Sequence, residues 1–197
     1  MARAIRHRGS DDFGVWSDPA AGFALAHQRL AVLDLSPAGH QPMHSASGRY
    51  VIAFNGEIYN HRALRQELEG SGVLQRPWHG QSDTETLLAA IEAWGLTLAL
   101  ERSAGMFALA LWDRAERRLH LARDRFGEKP LYWGWLQQGQ QRLLAFSSEL
   151  AALRALPGVA KPSSNPRAVQ AFFQFGSIPA PLCIDEGLQQ LQPVRAR

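Results

Sequence analysis

Hydrophobic positions fall into short alternating runs in the first third of the chain and into denser blocks in its centre. Phe23, Leu25 and His27 alternate with small alanines and share one face of a predicted strand. Leu30 to Leu35 is a second apolar stretch, ended by the turn cluster Ser36–Pro37–Ala38–Gly39. Tyr50 to Phe54 (YVIAF) is a β-branched and aromatic run. Asn55–Gly56, a dipeptide suited to positive φ, is expected to stop it. Asn60 then caps a short helix with Leu64 and Leu68 on one face, closed by Gly70 and Gly72. The clearest helix starts at Ser82–Asp83–Thr84–Glu85, a capping box in which Glu85 reaches back to Ser82. Leu87, Leu88, Ile91 and Trp94 line its buried face, and Gly95 stands where a C-terminal cap belongs. Asp83 occupies the first turn, where the helix dipole favours a carboxylate.

The centre reads as strands. Met106 to Trp112 is apolar at every position, which predicts a central strand buried on both faces. Shorter strands follow at Leu119–Arg123, Leu131–Trp135 and Leu143–Ser147, with turns over 113–118, 124–130 and 137–141. A short helix begins at Glu149 to Leu153, a second spans Arg167 to Phe175, and the residues from Gly187 onward read as a frayed end. Short connections favour antiparallel pairing, and helices and strands segregate along the chain, so the class is α+β. With no internal repeat and no convincing boundary, the 197 residues make one domain.

Composition narrows the function. Hydrophobic residues make up 46% and charged residues 20%, as in a globular domain. The longest apolar run is far below the ~20 residues of a membrane span, and the basic start MARAIRHRG has no apolar stretch behind it to make a secretory signal. Cys183 is the one cysteine, so no intrachain disulfide can form, and a reduced, cytoplasmic setting is expected. The net charge of +3 comes from short basic groups with acids nearby, which reads as a mixed-sign surface and not as a nucleic-acid stripe.

Few motifs carry chemistry by themselves. There is no GxGxxG and no P-loop; Gly127–Glu128–Lys129–Pro130 has proline where a phosphate loop needs Ser or Thr. His40 and His44 have helical spacing, but Pro42 between them argues against a metal-presenting helix. Cys183 lies in an apolar setting that suits a packed thiol. At Asn55–Gly56–Glu57 a side-chain amide sits beside a backbone N–H, the two donors an oxyanion hole needs; taken alone, a hairpin turn is the simpler reading. Arg29 and Asp83 have the charges to hold the carboxylate and ammonium of an amino acid, although singly each reads as a surface charge.

Taken in order, the segments HRGSDDFG (His7–Gly14), HQRLAVLDLSPAGHQPM (His27–Met43), FNGEIYN (Phe54–Asn60), SDTE (Ser82–Glu85), GMFALALWD (Gly105–Asp113), ARDRFGEKPLYW (Ala122–Trp133) and SSEL (Ser147–Leu150) strongly resemble one family. It is the glutamine amidotransferase domain of glutamine-hydrolysing asparagine synthetases, a class II member of the N-terminal nucleophile hydrolases, and the likeness runs from Met1 to about Leu191. The resemblance implies a four-layer αββα sandwich of two antiparallel sheets. It implies L-glutamine as substrate, with Arg29 on the α-carboxylate, backbone groups of Leu30, Ala31, Val32 and Leu33 lining the pocket, Asp83 and Glu57 on the ammonium, and Asn55 and Gly56 as the oxyanion hole. Members of this family attack with an N-terminal cysteine whose own amine (typical pKa about 8) is the base. The family's first strand with that cysteine, and the helix after it, have no counterpart before Met1, and Cys183 is no replacement.

The expectation is therefore a partial domain over residues 1–191, with 192–197 a frayed tail, that lacks the nucleophile and is inactive alone. It is expected to be a fragment of a complete synthetase, and poorly stable, because loss of a central strand leaves sheet edges unpaired. The family's synthetase domain, with its SGGxDS-type loop, ATP and magnesium, has no match; this chain calls for no cofactor and no metal of its own. The implied partners are glutamine, a synthetase domain or chain, and a second copy, since intact members often pair through this domain; no nucleic acid and no membrane is implied. The alternative function is a non-catalytic glutamine-binding or partner-binding module.

Overall fold

A computed structural model describes residues 1–74 and 76–193. Its centre is a four-stranded antiparallel sheet in the order β3–β4–β5–β6, built from β3 (Met43–His44), β4 (Tyr50–Ile58), β5 (Gly105–Asp113) and β6 (Arg118–Arg123). β4 and β5 pair over their full nine residues, from Tyr50 opposite Asp113 to Ile58 opposite Gly105. Period-two alternation splits β5 between two cores. Phe107, Leu109 and Leu111 face α1 (His61–Ser71), α2 (Asp83–Trp94) and α3 (Leu96–Arg102), packing with Leu64, Leu68, Leu87, Leu88 and Ile91. Ala110 and Trp112 face the opposite way, against Leu25, Phe23 and Phe146 of a second sheet layer. The expected two-faced burial of Met106–Trp112 holds from Phe107 on.

That second layer comes in two pieces. One is the hairpin of β1 (Asp12–Asp18) and β2 (Phe23–Arg29); the other is the set β8–β7–β9, from β7 (Tyr132–Gln138), β8 (Gln141–Ser147) and β9 (Leu188–Gln190). α4 (Leu150–Arg154) packs on β8 and on the N-terminal turn Ala2–Arg8, so the architecture is an α+β sandwich of helices, two sheet layers and helix. α5 (Pro166–Phe175) follows and exposes Phe172, Phe173 and Phe175.

Among the described residues, no strand pairing joins the two pieces. Residues 24–28 of β2 and 143–147 of β8 border one cavity of about 450 Å³, floored by Ala53 and Asn55 of β4 and Ala108 to Ala110 of β5. Because consecutive residues of each strand border it, the cavity meets strand edges, not a single sheet face.

Several sequence expectations are corrected. Asn55–Gly56 does not turn: β4 continues through both to Ile58, because β5 pairs with every residue of it. Gly56 is required by crowding, since a Cβ there would overlap the Met106 carbonyl and Phe107 of β5. The apolar stretch Leu30 to Leu35 is not buried throughout; Leu30, Val32 and Leu35 are exposed in a loop. Ser82 caps α2 by accepting from Thr84 N–H at 3.1 Å, but Glu85 does not reach back; it accepts from His79 and Gly80 N–H. Asn60 uses its side chain on the Arg102 carbonyl and Ala104 N–H instead of capping α1. The expected frayed end pairs with β7 through β9, while 194–197 of the expected tail lie outside the described residues.

The ARDRFGEKPLYW motif is a structural knot. Asp124 accepts from the N–H groups of Phe107, Phe126, Glu128 and Lys129. Arg123 beside it donates to the carbonyls of Lys129, Leu191 and Gly127. The HRG and SSEL motifs meet in the same way, with Arg8 Nη1 and His7 Nε2 at 2.9 and 3.0 Å from Glu149 Oε1.

Candidate active site

β2 and β4 end beside the start of α2, and a cleft of about 270 Å³ opens there. Of the nine residues expected to bind substrate, eight line it: Arg29, Leu30, Val32, Leu33, Asn55, Gly56, Glu57 and Asp83. Ala31 does not; its N–H is taken by Asp11 Oδ2 at 2.8 Å. Arg8, His27, Gln41, Thr84, Met106 and Lys129 also line the cleft and escaped the sequence reading. Their signal was weak, because none of these residue types has a spacing that marks it.

Asp83 is buried at the α2 N-terminus, accepting from Ile58 N–H at 2.8 Å and Thr84 N–H at 2.9 Å. Burial pushes its carboxyl above the usual carboxylate range despite those bonds. A cation arriving beside it restores the charge that burial disfavours. In the window between the ordinary aspartate value and the raised one, the folded chain holds a proton that the unfolded chain has lost. Stability therefore falls as pH rises through that window. Asp83→Asn keeps an acceptor for Ile58, and Ser82 Oγ still serves Thr84 N–H. We expect this variant to melt at a higher temperature at neutral pH, and to bind a cationic amino acid group less well. Calorimetric melting and amino-acid titration check the two halves.

Asn55 and Gly56 stand at the mouth of the cleft on a strand that runs straight through them. Asn55 Nδ2 is buried and has no hydrogen-bond partner. An unpaired buried donor costs roughly 1–3 kcal/mol unless an incoming acceptor satisfies it. The strand is fixed one residue earlier, where Gln41 Oε1 accepts from Phe54 N–H at 2.6 Å and His27 Nε2 lies 3.0 Å from the Phe54 carbonyl.

Arg29 plays two parts. Its Nη1 donates to the Ser36 carbonyl at 3.1 Å and its Nη2 to the Asp34 carbonyl, which folds the Leu30–Leu35 loop around the cleft. Asp34 in turn accepts from Ser36 and Gln81 N–H, which ties this loop to the approach to α2. Arg29 is buried yet still borders the cleft.

Cys183 takes no part in this site. It is buried with Leu136, Ala145, Leu153 and Leu188, and burial pushes its thiol pKa up, against reactivity. His40 Nδ1 pairs with Asp12 Oδ2 at 2.7 Å, and no cluster of three or more His, Cys, Asp or Glu suited to a metal occurs among the described residues.

Antiparallel sheets stacked between helices carry a polar cleft at one end that holds an amide donor, a buried carboxylate and an arginine. The chain belongs to the glutamine amidotransferase domain family, matched over residues 1–197, in the form found in glutamine-hydrolysing asparagine synthetases. It is 34% identical to asparagine synthetase [glutamine-hydrolyzing] 1 of Bacillus subtilis over 98% of this chain and 28% of that protein. Against asparagine synthetase B [glutamine-hydrolyzing] of Escherichia coli it is 39% identical over 78% of this chain and 26% of that protein. The chain thus spans under a third of these curated relatives. Among solved structures, the glutamine phosphoribosylpyrophosphate amidotransferase of B. subtilis shares the fold, with a TM-score of 0.60 at 20% identity over 96% of this chain and 44% of that one.

Proposed function

We propose that this domain binds L-glutamine and provides the oxyanion hole for its hydrolysis to glutamate and ammonia, the ammonia serving ATP-dependent amidation of aspartate by an associated synthetase unit. The unpartnered Asn55 Nδ2 beside Gly56 carries the reading, because a buried donor without a partner is what a developing oxyanion requires. Asp83 and Glu57 hold the ammonium at the far side of the cleft, and Arg29 with the Leu30–Leu33 loop holds the carboxylate. In the reaction a thiolate adds to the carboxamide carbon and the carbonyl electrons move onto oxygen, where Asn55 and Gly56 receive them. The carbon–nitrogen bond then breaks, the nitrogen takes a proton and leaves as ammonia, and water releases glutamate from the thioester.

The thiol that attacks is not Cys183. The edge-lined cavity between β2 and β8 shares Arg8, His27, Gln28 and Asn55 with the glutamine cleft. An additional strand laid between those edges would end at Asn55, where a nucleophile is needed. The exposed Phe172, Phe173 and Phe175 of α5 are the surface we assign to the synthetase unit.

The test is an N-terminal extension that begins with cysteine and is long enough to lay one strand in the cavity and return to Met1. It should confer glutamine-dependent ammonia release. An extended chain that melts at a higher temperature, showing the strand in place, but releases no ammonia would overturn the assignment.

A further inference from the structure

Among the described residues, two buried side-chain atoms are left without partners: Asn55 Nδ2 and His27 Nδ1. Both residues border the glutamine cleft and the cavity beside it. Their hydrogen-bonding roles are opposite. His27 Nε2 is 3.0 Å from the Phe54 carbonyl, which can only accept, so Nε2 carries the ring proton. Nδ1 is thereby left as a lone-pair acceptor. Burial keeps the ring neutral, with its pKa lowered to about 4. Nothing in the oxyanion-hole reading uses this acceptor, and the backbone bond to Phe54 accounts for only one side of the ring.

A donor and an acceptor on residues that border one cleft match one group and reject its hydrolysis product. A primary carboxamide offers an accepting oxygen and a donating nitrogen, whereas a carboxylate offers acceptors only. Resting on the glutamine reading above, we infer that His27 is a specificity-determining residue: its Nδ1 accepts an N–H of the substrate carboxamide while Asn55 Nδ2 donates to the carbonyl oxygen. Glutamate placed in the same position would set two lone pairs against each other at Nδ1, and this repulsion favours release of the product. A site that leaves a buried polar group unmatched discriminates far better than one that merely fails to fill a space.

The test compares L-glutamine with L-glutamate on the chain as it exists. His27→Leu should weaken glutamine binding about tenfold, the cost of one lost hydrogen bond to a buried group, and leave glutamate affinity unchanged or improved. His27→Asn, which keeps an acceptor, should recover most of the preference. Equal loss for both ligands in His27→Leu would show a merely structural role and overturn the inference. Because that variant also loses the bond to Phe54 and is at risk of misfolding, nitrogen NMR of the histidine rings in the unmodified protein gives a second readout. The unprotonated His27 nitrogen should shift to its hydrogen-bonded position with glutamine and stay in place with glutamate. A resonance that ignores glutamine while titration shows it bound overturns the inference alone. Failure of the unmodified chain to bind glutamine at all overturns the glutamine reading and this inference with it.

Discussion

Asp124→Ala is expected to unfold the domain at room temperature or to bring it close to unfolding. The Asp124 carboxylate is fully buried and receives four backbone N–H groups, from Phe107, Phe126, Glu128 and Lys129. Alanine leaves those donors facing a cavity, and each buried unsatisfied donor costs roughly 1–3 kcal/mol. Even with partial rescue by water, a loss of about 4 kcal/mol is a large fraction of a domain's typical stability of about 5–15 kcal/mol. Burial alone would raise this carboxyl, but the converging N–H groups hold it below the usual carboxylate range. Burial likewise opposes the charge on Asp34 and Asp113, and their own hydrogen bonds outweigh it and hold both carboxyls low.

The sign of the pH dependence follows. The stabilisation by these depressed carboxyls, Asp113 among them with Arg49 as its partner, is fully present above the ordinary aspartate value of about 3.9 and is lost as pH falls through the lowered folded values. Thermal melts of the unmodified and Asp124→Ala chains from neutral pH down to pH 3 check both statements.

Asn55→Ala is the second large effect. In the chain extended by a cysteine-first strand, it should lower the turnover of glutamine by about 10²–10³. The fold should survive, because Asn55 Nδ2 has no partner within the protein to lose. Gly56→Ala should instead damage the fold, since its Cβ would collide with the backbone of β5. Steady-state ammonia release alongside melting temperature separates the two variants. Comparable loss of stability in both would mean that Asn55 is there for the sheet and not for the oxyanion.

The fold was legible wherever burial writes a period into the sequence. Met106–Trp112 announced a strand with a core on each side because every position had to be apolar, and Leu87, Leu88 and Ile91 announced α2 for the same reason. Asn55–Gly56 misled. Its local preference is for a turn, yet nine paired residues of β5 outweigh that preference, and the glycine is there for close approach instead. The apolar stretch Leu30 to Leu35 carried no period to place it, and its Leu30, Val32 and Leu33 wall a cleft in a loop held by Arg29 and Asp34. Glu85 has the spacing of a capping box, but the N–H groups of His79 and Gly80 compete for its carboxylate.

The candidate site was legible by resemblance more than by pattern. Arg29, the Asn55–Gly56–Glu57 run and Asp83 come from separate stretches of chain, and no periodicity links them; the fold brings them to one cleft. Ala31 fell out because Asp11 holds its N–H elsewhere. His27 could not be read at all. Its role depends on which ring nitrogen the Phe54 carbonyl takes, and that is fixed only once β2 lies over β4.

The account rests on a cleft built for a free amino acid with a carboxamide side chain, and calorimetric titration of the unmodified chain with L-glutamine tests this most directly. One molecule should bind per chain, and binding should vanish in Asp83→Asn. Absence of any binding heat from a folded chain, or binding that persists undiminished in Asp83→Asn, would contradict it.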